Sequence, residues 1–188
     1  MKNIINLNKY NQNWYSRGKN NFTILIWWFI QGTLFRFSLH NMYNWRNWLL
    51  RLFGAKIGRG VKIRSTAKFT YPWKVSIGND SWIGDNVKFY SLDNISIGSN
   101  CVISQESYLC TGSHDIEDVY FGLVTKPIFI KDGAWVASDV FVYPGVTIHE
   151  MAVVAARSTV TTDLSAKKVY GGSPAKYLKR RFEKEELF

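Results

Sequence analysis

Residues 77–82 read IGNDSW, residues 83–88 IGDNVK, residues 89–94 FYSLDN and, after Ile95-Ser96, residues 97–102 IGSNCV. An apolar residue leads each block of six, Gly often follows it, and a small or β-branched residue tends to stand four places after the lead. The register extends both ways. Upstream come IGRGVK from Ile57, IRSTAK from Ile63 and FTYPWK from Phe69. Downstream come ISQESY from Ile103 and LCTGSH from Leu109, then, after a break, six more hexads led by Ile130, Val136, Val142, Ile148, Val154 and Val160. All fifteen leading positions are apolar. The pairs Val75-Ser76 and Ile95-Ser96 make each early turn three hexads plus two. Three short strands per turn give a triangular parallel β-helix, with leading side chains inside and small fifth-position residues such as Ala67, Ser81, Cys101, Ala134 and Ser158 in the corners. At about 4.8 Å per turn, some five turns make a rod near ~24 Å long.

The chain outside this repeat differs in kind. Residues 1–56 hold eight basic residues, no acid and five of the eight Trp, whereas the remaining 132 carry 16 basic and 14 acidic residues. This leader lacks the charged start and apolar run of a secretory signal. Its longest uncharged window, 16 residues from Asn20 to Phe35, is too short and too polar for a membrane span. Phe22–Phe37 and Tyr43–Phe53 read as amphipathic helices, the second with Trp45, Trp48, Leu49 and Leu52 on one face and Arg46 and Arg51 off it. Two readings stay open for the leader. Either these helices pack on the body or a neighbouring subunit, or residues 22–53 make a peripheral contact with an anionic membrane. On the second reading, residues 1–20 are dispensable for chemistry. No nucleic-acid recognition module follows the basic segment. Cys101 and Cys110 are too few for a disulfide framework and fit a reduced, cytoplasmic setting, at most at the inner face of the membrane.

The period fails once, between Leu109 and Ile130, and the interruption contains Thr111-Gly-Ser-His-Asp115. A repeat protein loops its insertions off the rod, and function concentrates there. Histidine titrates in the right range to act as a base at neutral pH, and His114 is the one histidine in this interruption. His114 is therefore the candidate general base. His40 and His149 read as surface or packing residues. Asp115, Glu106 or a backbone carbonyl would serve to orient the imidazole. No nucleophilic triad suggests itself, and no metal is implied.

Residues 57–164 resemble the hexapeptide-repeat acyltransferases, whose fold is a left-handed parallel β-helix and which act as homotrimers. The segments from Leu109 to Asp115, Pro127-Ile-Phe-Ile, Gly133-Ala-Trp-Val-Ala, Pro144-Gly-Val-Thr-Ile and Gly171-Gly-Ser-Pro-Ala-Lys176 resemble the galactoside, maltose and nodulation O-acetyltransferases. The leader ending RLFGAKIG resembles that of the colanic-acid-biosynthesis acetyltransferases. The resemblance implies acetyl-CoA as co-substrate, with Trp135 beside the pantetheine arm, the Ser138 backbone facing the thioester, and Ala156 and Thr161 lining the same groove. Lys176, Lys179 and Arg180 match cations placed near the nucleotide phosphates, where coenzyme A carries its charge. Arg157 departs from the family, where Gly is more usual. The family's upstream acceptor-binding Asn has no secure counterpart here; Asn86 is the nearest candidate.

These features predict a helical leader over 1–56, a β-helix acyltransferase domain over 57–170 with its loop at 110–127, and a C-terminal turn and short helix over 171–188. The activity implied is direct O-acetylation of a sugar hydroxyl on an exopolysaccharide or capsule building block. N-acetylation of an amino sugar is one alternative, but no Gly-rich nucleotide-binding unit precedes Gly54. A non-catalytic β-helix used for assembly is the other.

Overall fold

The computed structural model describes residues 5–182. From Lys56 to Tyr170 the chain winds as a parallel β-helix with three sheets. Sheet 1 stacks Lys56–Ile57, Val75–Ile77, Ile95–Ile97, Ile128–Ile130 and Thr147–Ile148. Sheet 2 stacks Lys62–Ile63, Trp82–Ile83, Val102–Ile103, Trp135–Val136, Val153–Val154 and Lys168–Gly171. Sheet 3 stacks Lys68–Phe69, Lys88–Tyr90, Tyr108–Cys110, Phe141–Val142 and Thr159–Val160. Among the fifteen hexads every rung pairs lead with lead, as in Ile63↔Ile83 and Phe69↔Phe89.

All fifteen leading residues are buried, and so are the corner residues Ala67, Ser81, Val87, Cys101, Ser107, Ala134, Ala152 and Ser158. The corner serines are satisfied internally; Ser81 Oγ, for example, donates to the Gly98 carbonyl at 2.8 Å. Glycine after the lead has a steric cause. A Cβ on Gly78 would stand 2.5 Å from the Gly98 carbonyl carbon one coil above. The fourth hexad position turns the corner in the left-handed region, at Asp80, Asn86, Asn100, Asp139 and Arg157 among others. Arg157, at φ 58°, thus stands where glycine would be unstrained.

The leader caps the open end of the rod. Helix α1 (Asn21–Ile30) runs into a π-turn (Gln31–Phe35), and α2 (Tyr43–Leu52) follows. Asn20 Oδ1 accepts from the Thr23 amide and starts α1. Trp27, Phe35, Leu49 and Leu50 join the same core as Ile57, Ile63 and Phe69. The first coil has no coil beneath it, so its backbone groups would lack partners. Leader side chains supply them. Trp27 Nε1 donates to Phe69 O (2.8 Å), Gln31 Oε1 accepts from Phe69 N (2.6 Å), Asn47 Nδ2 donates to Val61 O (2.8 Å), and Arg51 Nε donates to Ile57 O (3.0 Å). Arg46, 0% exposed, donates from Nε to Ile63 O (2.6 Å) and from its two terminal nitrogens to Ser38 Oγ, Leu39 O and His40 O (2.8 Å each).

Two expectations are corrected here. The buried face of α2 is Arg46, Asn47, Leu49 and Leu50, whereas Trp48 and Leu52 are exposed and Trp45 is half-buried. Capping an exposed ladder takes polar groups, so the polar residues went inside. The expected C-terminal helix is not formed over the described residues, because Lys176–Arg180 pairs antiparallel with Lys168–Gly171 at the top of sheet 2. Residues 183–188 of that expectation lie outside the described residues.

Candidate active site

His114 stands on the corner between sheets 3 and 1, where the coil opens. The insertion is an ordered ribbon, with Gly112–His114 antiparallel to Leu123–Thr125 and His114 opposite Leu123. Thr111, buried at its root, donates from Oγ1 to Tyr90 O (2.6 Å) and accepts from the Asp93 amide (2.9 Å). The ribbon is thus bolted to the coil below.

The turn of the ribbon places one carbonyl on the imidazole. Asp118 accepts from the Tyr120 amide through Oδ1 and the Gly122 amide through Oδ2, both at 2.9 Å. Phe121 between them is held at φ 56°, a conformation bulky side chains rarely adopt. Its carbonyl lies 2.8 Å from His114 Nδ1, and its ring stacks on the imidazole at 4.1 Å and 11°. A carbonyl only accepts, so Nδ1 carries the hydrogen and Nε2 is left with its lone pair. Of the three candidates for orienting His114, the backbone carbonyl is therefore the one present. Asp115 accepts from the Glu117 amide, and Glu106 accepts from Asn86 Nδ2 on another corner. Asn86 is accordingly remote from the ribbon. The sequence reading names neither Asp118 nor Phe121; the turn-forming Asp118-Val-Tyr-Phe-Gly122 is the one local signal that could have found them.

The residues expected to hold the donor fall in three places. Registers put Trp82, Val102, Trp135, Val153, Val169 and Lys179 on one outward row of sheet 2. Trp135 is exposed, and its Nε1 donates to Ser104 Oγ at 3.0 Å. Lys176 and Arg180 are exposed on the same terminal strand as Lys179, and among the described residues no carboxylate pairs with the three. Ser138 and Ala156 occupy successive turns of the sheet 2–sheet 3 corner, linked by the Arg157 amide donating to Ser138 O at 2.9 Å. Thr161 lies on the sheet 3–sheet 1 corner, exposed. His114 and the Ser138 corner are thus separated by the whole width of sheet 3. Arg181 is committed elsewhere, donating to Gly133 O and Met151 O. His40 is exposed beside Arg64, and His149 Nδ1 lies 3.7 Å from Glu150. Among the described residues no three His, Cys, Asp or Glu side chains are grouped to hold a metal ion.

Over 169 residues, 90% of this chain and 93% of the relative, the sequence is 50% identical to the "Putative colanic acid biosynthesis acetyltransferase WcaF" of Escherichia coli K12. The chain belongs to the hexapeptide-repeat acetyltransferases. Its rod is the left-handed β-helix of that family. This acetyltransferase superposes on the hexapeptide-repeat acetyltransferase VCA0836 of Vibrio cholerae O1 biovar eltor, complexed with acetyl coenzyme A, with a TM-score of 0.78 at 25% identity, covering 86% of this chain and 88% of that one. It shares the fold of a galactoside acetyltransferase in complex with coenzyme A, with a TM-score of 0.79 at 24% identity over 86% and 82% of the two chains. No protein-family model matches the chain.

Proposed function

We propose that this acetyltransferase moves an acetyl group from acetyl-CoA directly to a sugar hydroxyl of an exopolysaccharide or capsule building block, with His114 as general base. The observation that carries this reading is the His114 Nδ1–Phe121 carbonyl contact, which leaves Nε2 as a free acceptor at the sole break of the repeat. The acceptor hydroxyl gives its proton to Nε2 as its oxygen attacks the thioester carbonyl. The new C–O bond forms, the tetrahedral intermediate collapses, and the C–S bond breaks. The imidazolium then returns the proton to the departing thiolate, so a hydroxyl and a thioester become an ester and a thiol. The acetyl-CoA and coenzyme A complexes of the structural relatives support the donor, and the name of the 50%-identical relative supports the polysaccharide setting. Incubating the protein with labelled acetyl-CoA and a panel of sugars, amino sugars and polymer fragments tests it. Label on hydroxyls is the expected result; label confined to amines favours N-acetylation, and no transfer favours an assembly role.

In this reading Trp135, Ser138, Ala156 and Thr161 line the donor groove, and Lys176, Lys179 and Arg180 meet the nucleotide phosphates. Replacing Lys176 and Lys179 by Glu should raise KM for acetyl-CoA by about tenfold or more, with kcat changed much less. An unchanged KM across several salt concentrations assigns both lysines to solvent. The separation of His114 from the Ser138 corner supports a homotrimer in which a neighbour supplies the second half of each site; a head-to-tail contact of this kind closes into a ring.

No helix among the described residues is long and apolar enough to cross a membrane. We place the enzyme in the cytoplasm, with the outward face of the leader as its contact with an anionic membrane. Phe22 (72% exposed), Leu25 and Phe29 (70%) form one stripe of α1, and Trp48 and Leu52 stand outward on α2. Arg36 and Lys19 are exposed, and the segment has no acid to repel lipid phosphates. Phe22→Ser, Phe29→Ser and Trp48→Ala together should weaken co-sedimentation with phosphatidylglycerol vesicles. Failure of the native protein to bind such vesicles assigns this face to packing against a neighbouring subunit.

A further inference from the structure

Residues 6–18 cross the corner that carries His114. The Asn6 amide donates to Val119 O in the ribbon (2.8 Å), and the Lys9 ammonium lies 5.7 Å from the centre of the Tyr120 ring. The Tyr10 ring centre is 6.0 Å from that of the His114 imidazole, tilted by 55°. Behind these contacts the segment is anchored to the two coils below. Tyr15 Oη donates to Leu92 O (2.9 Å), Trp73 Nε1 donates to Arg17 O (2.6 Å), and Lys74 Nζ donates to both Leu92 O (2.5 Å) and Ser16 O (3.0 Å). Burial pushes the Lys74 amine below its ordinary range, and the Tyr15 ring covers it at 4.7 Å. A small apolar cluster of Ile24, Tyr71, Leu92 and Leu123 backs the corner, with Tyr10 and Tyr15 packed on it. So extensive a set of contacts belongs to a built element rather than a trailing end.

We propose that residues 6–18 are a strap forming part of the acyl-transfer site, and that Tyr10 is a positioning residue for His114. The inference rests on the reading of His114 as base and replaces the expectation that residues 1–20 are dispensable for chemistry. One hydrogen bond from Nδ1 leaves the imidazole free to swing about the Nδ1···O axis. Phe121 covers one face of the ring, and Tyr10 bounds it from another side, so the two fix the direction of Nε2. The stacked Phe121 ring also presents its π-electrons to the imidazolium that forms when the acceptor's proton arrives. The Tyr10 hydroxyl is engaged with Gln12 Oε1 at 3.0 Å, so the ring and not the hydroxyl carries the role.

The test is a double-mutant cycle on the full chain. Turnover is read as coenzyme A thiol released from acetyl-CoA, with methyl β-galactopyranoside in excess and with water alone as acceptor. Tyr10→Ala should lower kcat about tenfold and leave KM for acetyl-CoA unchanged, while Tyr10→Phe should keep the native rate. In a His114→Ala background, Tyr10→Ala should cost nothing further, because a positioning residue acts only through the group it positions. Equal losses in both backgrounds, a Tyr10→Phe variant as slow as Tyr10→Ala, or a Tyr10→Ala variant at the native rate would each overturn the strap. A slow His114→Ala with a fast Tyr10→Ala overturns the strap alone; His114→Ala at the native rate overturns the base assignment with it.

Discussion

Alanine in place of His114 is expected to lower kcat by roughly two to four decades, about 3–5 kcal/mol of transition-state stabilisation. The fold and the affinity for acetyl-CoA should survive. His114 is half-buried at the end of a ribbon, outside the prism, and its imidazole meets the Phe121 carbonyl and ring and the Tyr10 ring. No buried group of the β-helix loses a partner when it goes, because the carbonyl it leaves lies in an exposed turn. His114→Asn is the sharper variant. It keeps a donor for the Phe121 carbonyl but brings no basic nitrogen to the acceptor, so it should be as slow as His114→Ala. Steady-state kinetics against acetyl-CoA, with a thermal melt as control, decide the matter. A variant keeping more than about a tenth of the native kcat means that His114 is not the base. Asp115, next to it in the chain, would then be the carboxylate to test, whereas Glu106 lies on another corner, held by Asn86.

The β-helix was legible in the sequence because a solenoid encodes itself locally. Each hexad decides its own strand, its own inward residue and its own corner, so period alone located every lead and every small corner residue. The fourth position carried a signal as well, since Asp80, Asn86, Asn100 and Asp139 are residue types that tolerate the left-handed corner. The break at Leu109–Ile130 marked the ribbon that carries His114 for the same reason. What stayed hidden depended on contacts distant in sequence. Nothing local tells Lys176–Arg180 to be a strand; the unpaired edge at Lys168–Gly171 decides it, and tertiary pairing outweighed propensity. Tyr10 lies 104 residues before His114 in a polar stretch without periodicity, so only the fold brings the two together. The leader misled in an instructive way. A search for an apolar stripe finds Trp45, Trp48 and Leu52, but the end of a β-helix presents carbonyls and amides, and the side chains that answer them are Gln31, Arg46, Asn47 and Arg51.

Arg46→Ala is accordingly expected to be the most destabilising substitution in the leader. It removes one side chain and strands the carbonyls of Ile63, Leu39 and His40 together with Ser38 Oγ, all of which accept from Arg46. Burial pushes the guanidinium below its ordinary pKa, a measure of the cost of holding this charge away from water. That cost is offset only while all its acceptors are in place. A buried acceptor without a donor costs about 1–3 kcal/mol, and breaking a buried charged network about 3–5 kcal/mol. At roughly 2–4 °C per kcal/mol for a chain of this size, the melting temperature should fall by about 10 °C. Arg46→Lys should recover little, since one ammonium cannot reach Ile63 O and the Ser38–His40 turn together. Arg51→Ala is the internal control. Its donors reach Ile57 O and Gly58 O from an exposed position, where water replaces them, and its effect should stay within about 1 kcal/mol. A melting temperature for Arg46→Ala within about 2–4 °C of the native value, the shift that only about 1 kcal/mol produces, would mean that the first coil does not depend on its cap. The leader would then be an appendage, and its basic residues would again need a partner outside the chain.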